Sequence, residues 1–171
     1  TRKYEALPKD IQWHMIGHLQ TNKVKYIAPF VSLIHSVDSM NLLEVINKEA
    51  QKNNRVIPCL LQFHIATEET KFGLSLDEAE EFLQSPLFSS LQNVAICGVM
   101  GMASFTDNKD QVRAEFKKLK SIFDELHKKY FPEDSFKEIS MGMSEDYQIA
   151  VEEGSTIVRI GSSIFGARNY V

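Results

Sequence analysis

Short apolar segments alternate with longer amphipathic segments along the whole chain. The apolar segments predict six strands, over residues 13–19, 31–36, 56–65, 94–100, 137–141 and 156–160. Several of them are apolar almost throughout rather than alternating, which is typical of parallel strands covered on both faces. The pattern therefore predicts a mainly parallel sheet.

The amphipathic segments predict the helices between these strands. Asp38-Ser39 can cap a helix over the segment that follows, and Ser75 with Glu78 fits a capping box. The longest helix is predicted over 110–130, with an apolar stripe at spacings of three and four residues. Its members are Val112, Phe116, Leu119, Ile122, Phe123, Leu126 and Tyr130. A short helix is predicted over 145–153, capped by Ser144 and ended at Gly154.

Alternation of strands and helices implies parallel strands joined by right-handed crossovers. Two architectures fit this α/β order: a (β/α) barrel and an open doubly wound sheet. A complete barrel has eight units, and the pattern contains six. A length of 171 residues predicts one domain.

Composition narrows the function classes. The net charge of −4 argues against nucleic-acid binding, which calls for a basic surface. Cys59 and Cys97 lie in apolar runs and are predicted to be reduced core thiols of a cytosolic protein. No apolar run reaches the ~18 residues of a membrane span, and the polar first residues do not resemble a signal peptide. The first residue is Thr1 rather than Met, so we expect a trimmed chain or a fragment.

Two strand ends carry candidate anion ligands, because ligands bind at the carboxyl ends of parallel strands. Gly161, Ser162 and Ser163 follow the last strand, and Ser140 and Ser144 flank Met-Gly-Met after the strand before it. Glycine lets backbone N–H groups approach a phosphate, and serine hydroxyls add donors. The alternative is an ordinary turn with two helix caps.

One charged side chain lies inside an apolar strand. Arg159 must find an anion or an acceptor there, since an unpaired buried cation is costly. It is either a ligand partner beside the phosphate, half of an internal salt bridge, or an outward-facing edge residue. The five histidines do not predict a metal site: His14 and His18 are four apart, but on a strand rather than a helix.

Five sequence blocks together resemble a known family. They are WHMIGHLQTNK (13–23), HSVDS (35–39), FHIATEETKFG (63–73), GVMGMA (98–103) and ISMGMSEDYQIAVEEGSTIVRIGSSIFGARNY (139–170). In this order they closely resemble the pyridoxal phosphate homeostasis proteins (YggS type) of the alanine racemase N-terminal-domain family. The resemblance implies a (β/α)8 TIM-type barrel that binds pyridoxal 5′-phosphate (PLP). It also implies a role in PLP and vitamin B6 homeostasis, with no established catalytic reaction.

The resemblance assigns site residues as well. The cofactor phosphate is held in the family by serines and backbone groups of the last two strand ends, which match Ser140, Met143, Ser144, Gly161 and Ser162. The arginine of the VRIG motif, Arg159, is implied to lie by the pyridine nitrogen. A cation there disfavours protonation of that nitrogen and weakens the ring as an electron sink.

One departure from the family concerns its first two βα units. The first carries the Schiff-base lysine and the second a GENY-type motif, and neither motif occurs here: Lys3, Lys9, Lys23 and Lys25 lie in other motifs. We therefore expect residues 1–171 to form a single but incomplete PLP-binding barrel of about six units, with the first two missing. Exposed strand edges and weak, non-covalent PLP binding by this chain alone are expected consequences.

Two other functions remain open. One is an amino-acid racemase-like PLP enzyme, although racemases add a β-rich domain with a catalytic tyrosine and this sequence ends at Val171. The other is a phosphosugar-type barrel enzyme without PLP, which leaves the WHMIGHLQ and SMGMS blocks unexplained. The resemblance favours a non-enzymatic cytoplasmic protein, a monomer or weak dimer. The partners that the resemblance implies for such a protein are PLP and recipient PLP-dependent apo-enzymes, not nucleic acid or a membrane.

Overall fold

Strands and helices alternate in the computed structural model, which describes residues 1–67 and 72–166. The strands are β1 (His14–Met15), β2 (Leu33–Val37), β3 (Ile57–Phe63), β4 (Val94–Gly101), β5 (Glu138–Met143) and β6 (Ile157–Arg159). The helices are α1 (Arg2–Ala6), α2 (Val24–Ile27), α3 (Met40–Lys52), α4 (Leu76–Gln84), α5 (Pro86–Ser90), α6 (Lys109–Lys129), α7 (Tyr147–Glu152) and α8 (Ser162–Phe165). A 3-10 turn, Thr21–Lys23, precedes α2.

Each predicted strand segment contains a strand, and the first differs most from its prediction. Seven residues were predicted there, yet β1 pairs with β2 only through His14 and Met15. From Ile16 to His18 the side chains are exposed. Between Met15 and the buried Leu19, the segment therefore has no buried side chain to hold it in the sheet.

The predicted helix caps are confirmed at two helices. Ser39 Oγ accepts the N–H of Leu42 at the start of α3. Ser75 and Glu78 form the reciprocal capping box of α4. Such caps satisfy N–H groups that have no partner within the helix.

The predicted cap of α7 is wrong. The helix begins at Tyr147 with Asp146 in the N-cap position, so Ser144 lies outside it. The carboxylate of Asp146 accepts the N–H of Met143 at 2.6 Å and closes a tight turn between β5 and α7. Gly154, with φ +95°, follows the end of the helix as predicted.

The chain divides into two compact units, the first made of residues 1–62 and 73–97. In this unit β1, β2, β3 and the start of β4 are neighbours in chain order, with β1–β2 and β2–β3 parallel. The apolar face of α3 is buried, through Leu42, Leu43, Ile46 and Ala50. The guanidinium of Arg55 donates to the carbonyls of Ala28 and Val31, both at 2.6 Å.

The second unit comprises residues 63–72 and 98–171, in so far as they are described. The end of β4, β5 and β6 are parallel neighbours in chain order. Helix α6 buries most of its predicted stripe, including Phe116 and Leu119, and also a carboxylate, Glu115. A doubly wound sheet reverses its strand order at a switch point. Neither unit contains such a reversal among its described strands, so the order is that of a barrel.

Cys59 lies in the core as predicted, whereas Cys97 is only partly buried. Cys59 is buried, and desolvation raises its pKa, with a smaller contribution from Cys97, which is half-buried. No disulfide joins Cys59 and Cys97. Within residues 1–67 and 72–166, none of the helices combines the length and the apolar character needed to cross a bilayer.

Candidate functional site

All six candidate residues lie on β5, on β6 or in the segments directly after them. Met143 and Arg159 are paired in register across the two strands. The register shifts between Ser140 and Met143, where Gly142 has φ +96°. This register shift lies at the carboxyl ends of β5 and β6, next to the turns that follow the two strands.

Arg159 has two defined protein partners. Its Nη1 donates to Ser140 Oγ at 2.8 Å, and its Nη2 donates to the carbonyl of Gly101 at 3.0 Å. Ser140 is fully buried. Of the alternatives from sequence, the internal salt bridge is not seen: among the described residues no carboxylate lies within ion-pair distance of this guanidinium.

One of the three guanidinium nitrogens of Arg159 has no protein partner among the described residues. Its Nε is buried and has no hydrogen-bond partner in the described part of the chain. Burial lowers the pKa of Arg159 to about 10, and the charge of Asp146 opposes that shift. The side chain is thus a cation at neutral pH with a buried N–H available to a ligand acceptor.

The Gly-Ser turn after β6 contacts the turn after β5. Gly161 precedes α8, and Ser144 Oγ accepts the N–H groups of Gly161 at 3.3 Å and Ser163 at 3.5 Å. These distances are at the long limit of a hydrogen bond. A charged phosphate oxygen is a stronger acceptor and can replace such bonds. A Cβ on Gly161 would meet no atom of residues 1–67 or 72–166 within 4 Å.

The structure also places each remaining candidate. Met143 is partly exposed and its N–H is used by Asp146. Ser162 and Ser163 are exposed at the first turn of α8. Ser140 accepts a hydrogen bond from Arg159. The candidates thus form two groups, one around the guanidinium and one around the Gly-Ser turn.

Sequence reasoning missed a buried carboxylate in the same unit. Glu115 of α6 is 4% exposed and accepts the N–H and the hydroxyl of Ser104, both at 2.7 Å. It also accepts the N–H of Thr67 at 3.0 Å and the side-chain amide of Gln111 at 3.2 Å. The available signal was an acid on the apolar face of a predicted helix, next to Phe116.

We expect the Glu115→Gln variant to lose part of the pH dependence of stability. Burial opposes ionisation of Glu115, but the bonds from Ser104, Gln111 and Thr67 outweigh it and lower the pKa. The unfolded chain therefore takes up the proton first as pH falls. This stabilisation is complete above the ordinary pKa of 4.5 and is lost as pH falls through the lower folded pKa.

Urea unfolding between pH 7 and pH 3 checks this expectation. The difference in unfolding free energy between wild type and Glu115→Gln should be constant above about pH 5 and shrink below it. Asp124→Asn, on the exposed face of α6, is the matched control and should show no such trend. A difference that widens as the solution becomes more acidic contradicts the expectation.

Among the described residues, no group of three or more His, Cys, Asp or Glu side chains is placed to hold a metal ion. His14 Nδ1 lies 3.0 Å from His35 Nε2, a hydrogen bond between two rings. His18 lies 3.7 Å from Asp38. The sequence interpretation considered His14 with His18, whereas the parallel pairing of β1 with β2 brings His14 to His35.

Parallel strands joined by helices, with a buried cation and a Gly-Ser turn at adjacent carboxyl ends, are typical of α/β proteins that bind phosphorylated ligands. Comparison with known proteins defines the class further. The alanine racemase N-terminal domain matches residues 5–169. The chain belongs to this family.

Named relatives agree with this membership. The chain is 45% identical over 170 residues to a pyridoxal phosphate homeostasis protein of Aquifex aeolicus, covering 99% of this chain and 73% of the relative. It is 37% identical over 174 residues to the human protein of that name, covering 98% and 62%. The solved structure of PipY from Synechococcus elongatus with PLP bound matches with a TM-score of 0.82 and 32% identity, covering 96% of this chain and 74% of PipY.

Proposed function

We propose that this protein binds PLP at the carboxyl ends of β5 and β6 and serves PLP and vitamin B6 homeostasis. The observation that carries the proposal is the buried Nε of Arg159, a donor with no protein partner in the described residues. Support comes from PipY, whose structure holds PLP, and from relatives named pyridoxal phosphate homeostasis proteins.

The phosphate of PLP would be held by the turn after β6. Gly161, Ser162 and the hydroxyl of Ser144 supply donors there, and Met143 with Ser144 forms the facing turn after β5. The long bonds from Gly161 and Ser163 to Ser144 are those that a phosphate can replace.

The pyridine nitrogen would be met by Arg159. PLP supplies an electrophilic aldehyde and a ring that can take up negative charge when its nitrogen is protonated. A guanidinium donates a hydrogen bond to that nitrogen and disfavours its protonation. Ser140 and the Gly101 carbonyl hold the guanidinium in place. The arrangement suits storage of PLP better than catalysis, and we propose that the protein is not an enzyme.

The finer parts of the architecture are also proposals. We propose that β1–β6 correspond to six consecutive units of an eight-unit barrel, with the first two units outside this sequence, and that residues 1–171 belong to one PLP-binding domain. The coverage of 73% of the Aquifex relative supports the correspondence. PLP-dependent apo-enzymes as recipients, a cytoplasmic location and a monomer or weak dimer are parts of the same proposal.

We expect Ser162→Ala to weaken PLP binding about three- to tenfold, since the net contribution of one solvent-exposed hydrogen bond is roughly 0.5–1.5 kcal/mol. The full-length protein would be titrated with PLP and followed by absorbance and by dialysis equilibrium. The inhibition constant of inorganic phosphate should rise by a similar factor, because the lost contact is to the phosphate.

Ser121→Ala, at an exposed serine of α6, is the matched control and should leave the affinity for PLP within twofold. Absence of saturable PLP binding by the wild-type protein contradicts the proposed function. Racemisation of alanine by the same protein with PLP would revive the racemase-like alternative. Competition by sugar phosphates that exceeds competition by PLP would favour the phosphosugar alternative.

A further inference from the structure

We propose that Glu115 is a positioning residue for Arg159, acting through the backbone segment 101–104. The inference rests on the proposed function, because it gives Glu115 a role in holding the ring-facing cation of the PLP site. Nothing in the sequence motifs assigns Glu115 to that site.

The segment 101–104 is fixed at both of its ends. At one end the Gly101 carbonyl accepts Nη2 of Arg159 at 3.0 Å. At the other end Ser104 donates its N–H and its hydroxyl to Glu115, both at 2.7 Å. Only two residues separate these anchors, so a shift at Ser104 moves the carbonyl that orients the guanidinium.

Close packing at Gly101 leaves the segment little freedom to absorb such a shift. A Cβ there would lie 2.8 Å from Cδ1 of Ile65 and 3.1 Å from Cδ2 of Leu119. The backbone therefore touches both the segment after β3 and the apolar face of α6. Packing sets how near Gly101 lies to α6, and Glu115 sets the direction in which the chain leaves β4.

The same carboxylate also holds the segment after β3. The N–H of Thr67 donates to Glu115 at 3.0 Å, and Gln111 bridges Thr67 Oγ1 at 2.6 Å and Glu115 at 3.2 Å. One side chain of α6 thus ties the carboxyl ends of two strands. Because all these partners are donors, the position requires a group that only accepts, which is a carboxylate.

Stability alone gives little reason for a carboxylate at this position. Its neighbours on the same face, Val112, Phe116 and Leu119, are apolar. Burying a charge is costly, and no cationic side chain contacts Glu115 within the described residues. What the carboxylate adds over an apolar side chain is a defined position for two strand-end segments.

The experiment compares PLP with inorganic phosphate on the full-length protein. Glu115→Gln should weaken PLP binding about tenfold and leave the inhibition constant of inorganic phosphate within twofold. It should also shift the absorbance maximum of bound PLP in the same direction as Arg159→Gln. Asp124→Asn, an exposed acid on the same helix, is the matched control and should change none of the three. Ser104→Ala keeps one of the two bonds to Glu115 and should weaken PLP binding about threefold.

A double-mutant cycle tests whether Glu115 acts through Arg159. In the Arg159→Gln background, Glu115→Gln should weaken PLP binding less than twofold further. A full tenfold effect in that background overturns the inference, as does unchanged PLP affinity of the single variant. Loss of the fold in both Glu115→Gln and Ser104→Ala, measured by circular dichroism, assigns Glu115 to stability and also overturns it. Failure of the wild-type protein to bind PLP removes the proposed function itself and the inference with it.

Discussion

Replacing Arg159 with glutamine is expected to lower the affinity for PLP about a hundredfold, which corresponds to roughly 2.7 kcal/mol. Two physical terms add up here. A charge-assisted hydrogen bond to a buried acceptor is lost, and such bonds contribute about 1.5–3 kcal/mol. The variant also leaves the Gly101 carbonyl and Ser140 without the donor that now holds them.

Arg159→Lys should not restore the affinity. Lysine carries the charge, but a single ammonium cannot donate in the three fixed directions that Nε, Nη1 and Nη2 provide. Arg113→Gln is the matched control, because that arginine is engaged with Glu152 and Glu153 at the surface. Dialysis equilibrium with PLP measures all three variants. Wild-type affinity in Arg159→Gln would remove Arg159 from the site.

Gly142→Ala is expected to destabilise the protein by about 4 kcal/mol. Gly142 has φ +96°, which costs a residue with a side chain roughly 1–3 kcal/mol. A Cβ there would also lie 2.6 Å from Cβ of Ala150 and 3.1 Å from Cα of Tyr147. Overpacking of this kind costs about another 1–3 kcal/mol, since α7 must move away from β5.

Thermal unfolding measures this effect as a lowering of Tm by about 10 °C, given about 2–4 °C per kcal/mol for a domain of this size. Gly17→Ala is the matched control: its Cβ would meet nothing within 4 Å, and we expect a change in Tm of 2 °C or less. Equal Tm values for Gly142→Ala and wild type would contradict the steric argument.

The order of elements was predictable because burial follows the residue pattern directly. Each apolar segment yielded a strand, and the stripe of α6 faces the core as its spacing requires. The length of β1 was less predictable. An apolar residue such as Ile16 does not by itself indicate whether a neighbouring element covers it, and Ile16 is exposed. The choice between barrel and doubly wound order likewise depended on strand pairing, to which local patterns contribute little.

The sequence named the candidate residues, but it did not give the contacts that they make. Ser144 was given two roles by sequence, a helix cap and a phosphate ligand, and only the first could be tested and was wrong. Its hydroxyl instead accepts N–H groups from the turn after β6, seventeen and nineteen residues further along the chain. Ser140 keeps its predicted place beside the site, but its hydroxyl is bonded to Arg159.

By itself, the sequence determined the α/β class, the order of the strands and a set of candidate anion-binding residues, because hydrophobic period and motif are properties of neighbouring residues. The tertiary structure decided which of those residues meet. It brought Arg159 to Gly101, fifty-eight residues away, and left its Nε as a buried donor. It also made Glu115 the hydrogen-bond acceptor for the segments that follow β3 and β4. Hydrogen bonds between such distant segments form only once the sheet and α6 have packed.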